Sequence, residues 1–473
     1  MTPEPTPDPT PENPVADMDT SRDPSDGKEP AGEAEKDTKT NEDGSTTETT
    51  KVENTDGSTT EKEKTTEADG TVTEKTTVTE TDGTVKTQET TIAADGTKTE
   101  TASEVKDNGD YVEKTVETDA NGDVTETREA SRKTDEATGA VTETTRVTDK
   151  DGAVESEKVE QENGDYVATE TKTDADGKLI EATEASKVSE ENGDYVEKSE
   201  TKDADGVVLE SSESSKKTDE NNTVTETTKT LDREGVTTEQ ETVKAADGSG
   251  QVSELVTRKD GSSFGSTVQT DTSGAMTGLS TTEKTADGKE TKADYTPANE
   301  GISLNKLETN GDKFEIPDTV SAADGKTYPV TKIGKGAMQG NTNVKSVSLG
   351  AFIKNIGANA FRGAKNMVEL ILGALNPLKV TGREDTSPAL RVPSPQGEGK
   401  DAWMRARFLQ GEGITGLSAA GGKTYPVIQL GKNSLKGTSK ALVIRVASKA
   451  DKKAVKKQLK KAGNAKAKVK IIK

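Results

Sequence analysis

Apolar residues along most of this chain come singly, set among Thr, Glu and Lys. The stretch "TVTEKTTVTETDGTVKTQETTIAADGTKTE", Thr71 to Glu100, is typical. Its regular feature is a turn signal. Asp43-Gly44, Asp56-Gly57, Asp69-Gly70, Asp82-Gly83 and Asp95-Gly96 lie 13 residues apart, and Asn108-Gly109 and Asn121-Gly122 keep the step. Such pairs suit a two-residue type I′ hairpin loop, which needs positive φ at both positions. Removing the loop from the 13-residue period leaves 11-residue strands. Counting from each Gly, position p then pairs with position 12 − p of the strand before it, so every odd position falls on one face. The pattern predicts an extended antiparallel β-meander of hairpin repeats.

The meander lacks a hydrophobic face. Position 4 is Glu in six of the first seven repeats (Glu48, Glu61, Glu74, Glu100, Glu113 and Glu126), and position 2 is often apolar, as at Val72, Val85, Tyr111 and Val124. Thr and Val elsewhere favour the pleated conformation. The even positions Val72, Glu74, Thr76, Val78 and Glu80 cannot cover a core, nor can the odd positions Thr71, Thr73, Lys75, Thr77 and Thr79. Two readings share this composition: a single-layer sheet held by backbone ladders and cross-strand Glu–Lys and Thr–Thr pairs, and a disordered polyelectrolyte. Regular turn spacing selects the sheet. In both, the segment is a spacer, about 90 Å long if some nineteen strands stack at about 4.8 Å. The turns drift at Asn163, Asp176, Asn192 and Asp205, then return to strict spacing at Glu234-Gly235, Asp247-Gly248 and Asp260-Gly261. "DADG" at Asp174 and Asp203 and "DANGD" at Asp119 look like pieces of a calcium loop, but the distal bidentate Glu is missing, and they read as solvated turns.

After Gly301 the texture changes and apolar residues cluster. Ile333, Met338, Val344, Val347 and Leu349 recur as Ile356, Phe361, Met367, Leu370 and Leu372, each 23 residues on. Val344-x-x-Val347-x-Leu349 and Met367-x-x-Leu370-x-Leu372 supply an L-x-x-L-x-L core on short strands, the mark of a solenoid. The phrase "GGKTYP" at Gly421 misses the phosphate-loop spacing, because Leu417 stands where Gly is required, and "DGKTYP" recurs at Asp324. Both read as hairpin turns. Ser448 and Asp451 form a capping box, Gly463 can end the helix, and Ala454, Val455, Gln458, Leu459 and Ala462 make a narrow apolar stripe. Ala465, Ala467, Val469 and Ile471 then alternate with lysines as a half-buried strand would.

These residues resemble the bacterial BspA-like leucine-rich repeat family. Ile356-Gly357-Ala358-Asn359-Ala360-Phe361 carries its Ile-Gly-x-x-Ala-Phe signature, and Ile333-Gly334-Lys335-Gly336-Ala337-Met338 a slightly altered copy. The lead-in Asp324–Gly334 looks like the family's opening hairpin, and Lys432 to Lys461 like its closing segment. The likeness covers about a third of the chain and departs from the pattern at Asn341, Gly350 and Gly373. It implies a surface or secreted protein.

Charge sharpens the division. Asp and Glu number 87 against 64 Lys and Arg, a net of −23, yet residues 431–473 hold 15 Lys or Arg and one acid. Only 27% of residues are hydrophobic, too few for a large core along the whole chain. With no Cys and no His, disulfides, thiol nucleophiles, imidazole bases and Cys/His zinc sites are excluded. No apolar run is long enough for a transmembrane helix. "MTPEPTPDPTPENP" lacks a signal-peptide core and reads as a polyproline linker, which suggests that Met1 follows a removed segment or lies inside a longer gene product.

The expectation is a mainly β chain in five parts. These are a disordered Pro/acid-rich linker over 1–42, an acidic hairpin-repeat stalk over 43–300, BspA-like repeats over 301–381, an unstructured insertion with Trp403 over 382–413, and a final repeat with basic capping helix and strand over 414–473. The expected function is non-enzymatic: a cell-surface or secreted protein whose stalk presents a small protein- or glycan-binding module. A structural matrix component, or the accessory end of a larger secreted enzyme, are the alternatives. No catalytic, cofactor-binding or metal-binding residue is expected, and no cofactor. The partners expected are an unknown protein or glycan and an anionic cell-wall polymer at the basic carboxy terminus, not nucleic acid, and without membrane insertion.

Overall fold

The computed structural model describes residue 15, residues 17–372 and residues 428–472. The expected insertion at 382–413, the Pro-rich opening and the phrase at Gly421 lie outside them. The chain forms two compact units, Met1–Asp260 and Gly261–Lys473.

The first unit is a ribbon of 17 described strands from Glu35–Thr40 to Gly250–Thr257, each paired antiparallel with the next. The expected meander is there, but its turns differ. At Asp82-Gly83, Gly83 N donates to Glu80 O (3.1 Å) and Glu80 N to Thr84 O (2.8 Å). Gly83 alone takes positive φ (+87°), and Asp82 does not. This is a three-residue loop closed by a left-handed Gly bulge, not a type I′ turn. Asp82 adopts it because its Oδ1 then accepts the Thr84 N–H at 2.9 Å. The longer loop shortens the flanking strands to eight residues, as in Val72–Thr79 and Val85–Ile92.

The extra loop residue also moves the register by one. Val85, at position 2, pairs with Thr79 and Val105, both at position 9 of their strands. Even positions therefore meet odd ones, and any given position alternates between faces from strand to strand. The expectation that odd positions share one face is overturned. A single-period repeat in this register makes the two faces chemically equivalent, so neither can become an apolar layer. Accordingly Val15, Val78, Ala102, Ala140 and Val256 are the buried hydrophobics of the ribbon among the described residues, while Ile92, Val124, Val167 and Val188 stay exposed. Cross-strand pairs of the expected kind line both faces, including Thr73–Thr91 (3.0 Å), Thr183–Thr201 (2.9 Å) and Lys64–Glu74 (2.7 Å).

Where the turn spacing drifts, strands lengthen to 11 residues, as at Val124–Thr134 and Leu179–Ser189, each with a register shift. The phrase "NGDYV" accompanies them. Asp110 and Asp194, both buried, accept from the backbone N–H of Thr134 and Thr218 (2.8 Å each), and Asp165 from that of Ser189 (2.6 Å). Each carboxylate ties a turn to the end of a long strand 24 residues on.

Of the linker expected over 1–42, residue 15 and residues 17–42 are described. The sheet begins at Glu35, and the segment from Thr20 to Pro30 lies against the ribbon. Pro30 bridges to Asn54, Lys28 Nζ reaches Asp56 Oδ2 and Glu80 Oε2 (2.7 Å each), and Lys62 Nζ reaches Asp23 Oδ2 (2.6 Å). Gln88 Nε2 donates to Thr20 O at 3.2 Å. Acid-rich composition hid this strap, whose anchors are ion pairs made far along the chain.

The second unit holds the hydrophobic core, from Val268 to Val469. It begins with hairpin strands Ser263–Thr270, Met276–Lys284 and Glu290–Ala298, so packing places three strands of the expected 43–300 stalk with the solenoid. Their Val268, Leu279 and Tyr295 join the core. Strand Gly301–Thr309 is the switch: one edge pairs antiparallel with Glu290–Ala298, the other parallel with Thr327–Ile333. Gly301 is required there, since its φ is +151° and a Cβ would lie 2.1 Å from Pro329 O.

From this strand the chain winds as a coil whose successive turns pair in parallel. Ile333, Ile356 and Leu430 stack on one sheet. Ile316, Leu349 and Leu372 belong to a second, five-stranded sheet: Lys313–Ile316, Ser346–Leu349, Glu369–Leu372, Val443–Val446 and Lys468–Ile471. Sequence reading saw two repeats and a closing segment; the packing also recruits Ile302, Leu304 and Ile316 as a first coil and shows Leu430–Leu435 as a third copy of the signature. The signature Gly is a contact residue. A Cβ on Gly357 would sit 2.6 Å from the Gly334 backbone, and one on Gly431 2.5 Å from that of Gly357.

Candidate ligand-presenting face

The five-stranded parallel sheet buries alternate residues and turns the others outward. Val347, Leu349, Leu370, Leu372, Ile444 and Val446 point into the core. The register aligns two outward columns across the strands. One runs Lys313, Ser346, Glu369, Val443, Lys468; the other Glu315, Ser348, Ile371, Arg445, Lys470. Neighbouring strands are about 4.8 Å apart, so the five strands span roughly 19 Å.

Glu369 organises the middle of this face. Arg445 Nε donates to its Oε1 at 2.5 Å, and Ser346 Oγ to its Oε2 at 2.9 Å. The Arg445 guanidinium first, then the Ser346 hydroxyl, holds the Glu369 carboxyl below its ordinary pKa. The result is a shallow polar patch with one half-exposed Ile371 and cations toward the carboxy-terminal edge. It offers hydrogen-bond and charge recognition. The signal was present in the sequence as the variable x positions of V-x-x-V-x-L, which hydrophobic-pattern reading passes over.

The edge is closed as expected. Helix α1 (Lys449–Ala462) starts at Ser448, whose Oγ accepts the Asp451 N–H at 3.0 Å, and ends at left-handed Gly463. Val455, Leu459 and Ala462 are buried against the last coil, and Lys449, Lys453, Lys456, Lys457, Lys460 and Lys461 are exposed. Gln458 completes the seal: its Oε1 accepts Leu430 N–H (2.7 Å) and its Nε2 donates to Ile428 O (3.1 Å). The final strand begins at Lys468, so Ala465 lies outside it.

The sequence motifs weighed for chemistry are turns. Asp119, Asp174 and Asp203 each use Oδ1 to accept two backbone N–H groups of their own loops. Asp324 sits in the turn joining Thr319–Ser321 to Thr327–Ile333, and Tyr328 Oη donates to it at 2.6 Å. Among the described residues, no helix is long and apolar enough to cross a membrane.

A hairpin-repeat ribbon and a capped solenoid of leucine-rich character thus define the class of architecture. No protein-family model matches the chain, and no curated protein matches it. Among solved structures, a leucine rich cell surface protein from Faecalibacterium prausnitzii A2-165 is similar at 25% identity and a TM-score of 0.16, over 17% of this chain and 21% of that one. A leucine-rich repeat protein from Bacteroides capillosus is similar at 19% identity and a TM-score of 0.14, over 17% of this chain and 78% of that one. The chain spans about a fifth of the first of these.

Proposed function

We propose that this chain is a non-enzymatic bacterial surface or secreted protein of BspA-like type, in which the ribbon is a spacer and the solenoid binds a protein or glycan. The observation that carries the reading is the outward face around Glu369, Arg445, Ser346 and Ile371, built from aligned positions of successive coils. Residues that pack the core cannot vary freely, whereas these outward positions can, which is how a repeat surface acquires a ligand. The resemblance of Ile356–Phe361 to the family signature supports extracellular display.

The test is binding of the full chain to cell-surface extracts and glycan arrays. Arg445→Ala with Ile371→Ser should abolish binding while leaving the melting transition of the solenoid in place. Undiminished binding by this variant excludes the sheet face. A structural matrix role is the competing reading, favoured by the ribbon's having no core of its own. It is supported instead if removing residues 301–473 leaves adhesion unchanged.

A further inference from the structure

The two units carry opposite charge. Residues 1–260 hold 69 acids and 30 bases, a net of −39, and residues 261–473 hold 18 acids and 34 bases, a net of +16. The positive charge is most concentrated on helix α1. Its lysines occupy an arc opposite Val455, Leu459 and Ala462, two to each turn from Lys452 to Lys461, with Asp451 the one acid. Six of these lysines are exposed, far more than a cap that only seals a coil needs.

The ribbon offers a matching pattern on one long edge. Turns between alternate strand pairs fall on the same edge; the second residues of five consecutive ones are Asp107, Glu136, Glu162, Glu191 and Glu220, and those of the other three are Thr55, Thr81 and Ala246. All five are exposed, and none enters an ion pair among the described residues. They are two strands apart, so the carboxylates repeat at about 9.6 Å. Some neighbouring turns approach closely: a Cβ on Gly139 would lie 3.7 Å from Glu162 Cβ, and one on Gly83 3.2 Å from Asp107 Cβ, whereas one on Gly109, Gly164 or Gly193 would meet nothing within 4 Å. The edge is therefore an acidic rail in the sense of a row of exposed carboxylates at a regular step. Two helical turns advance about 10.8 Å, close to one rail step, and the 14-residue helix covers about two steps.

We propose that the lysine face of helix α1 docks on the turn edge of a second copy of this chain, giving head-to-tail association. The contact is heterologous, since it joins different surfaces of the two copies, so it leaves a free helix at one end and a free rail at the other and propagates. It is electrostatic and lies apart from the outward sheet face assigned to ligand binding.

The experiment is sedimentation of the full chain over a range of concentrations. At about 10 mM salt, where charges interact over about 30 Å, the average mass should rise with concentration; at about 1 M salt the chain should be monomeric. A variant with Lys453, Lys456, Lys457 and Lys460 changed to Gln should associate about tenfold more weakly, the sum of several exposed ion pairs of modest strength. Gln keeps helix propensity, so an unchanged helical circular-dichroism signal separates this from misfolding. A second variant, Glu162→Gln, Glu191→Gln and Glu220→Gln, alters the rail without touching the helix and should weaken association likewise. A monomer at every concentration at low salt overturns the proposal, as does association that neither variant changes. If the rail variant associates normally while long-chain polyphosphate binds the parent and not the lysine variant, the face serves a free polyanion and the second copy is excluded.

Discussion

Phe361→Ala measures whether the stability of this protein resides where the packing places it. Phe361 has no exposed surface and sits in the second copy of the signature, between Met338 and Leu435 of the adjoining coils. Its N–H donates to Ser434 O at 2.8 Å, and the preceding Ala360 O accepts from Met338 N at 2.8 Å, so the backbone on both sides holds the site open. A buried aromatic ring removes about 150–250 Å² from water. At about 25 cal/mol per Å², less what Ala retains, the loss is about 3–5 kcal/mol, including the cavity that rigid neighbours cannot close. The assay is hydrogen exchange of peptides spanning 355–372 and 428–446 in the full chain. A loss of about 4 kcal/mol lowers protection there by about three orders of magnitude. Ile92→Ala is the control, because Ile92 is 46% exposed on the ribbon. It should cost at most about 1 kcal/mol, the size of one cross-strand contact. Equal costs for the two variants would refute the division into a coreless ribbon and a core-bearing solenoid.

Other outcomes follow from single groups. Ser434 stands where the earlier coils have Ala337 and Ala360, fully buried and with its hydroxyl unpaired, so Ser434→Ala should raise the solenoid's stability by about 1 kcal/mol in a denaturant melt. Gln458→Ala strands the Leu430 N–H and Ile428 C=O and should cost about 1–3 kcal/mol by the same measurement. The turn aspartates, among them Asp82, Asp95 and Asp119, are held below the usual carboxylate range, chiefly by backbone N–H groups of their own loops. A depressed folded-state pKa adds stability above the unfolded value of about 3.9 and loses it as pH falls through the folded value, so the β signal of the ribbon should hold at neutral pH and decline below about pH 4. Val455→Asp with Leu459→Asp should uncap the last coil, seen as loss of exchange protection at Leu430 and Ile444.

Local chemistry settled a good deal of this protein in advance. The Asp-Gly interval selected hairpins, the Thr- and Val-rich repeats favoured strands without a core, and the 23-residue step of the L-x-x-L-x-L core marked a solenoid. Ser448 and Gly463 marked both ends of the helix because capping is decided within a few residues. Asp-Gly, however, fits either a two-residue loop or a three-residue loop with a bulge. Only the folded ladder decided between them, when the Asp carboxylate captured the amide two residues on. That single residue reversed the face of every second strand and made the two faces alike. The strap anchored by Lys28, the Asp110–Thr134 tie, the first coil at Ile302 and Leu304 and the ordering of Ser346, Glu369 and Arg445 likewise came from tertiary structure. Each joins residues far apart in the chain, and the free energy of such contacts is set by register and packing that no local window contains.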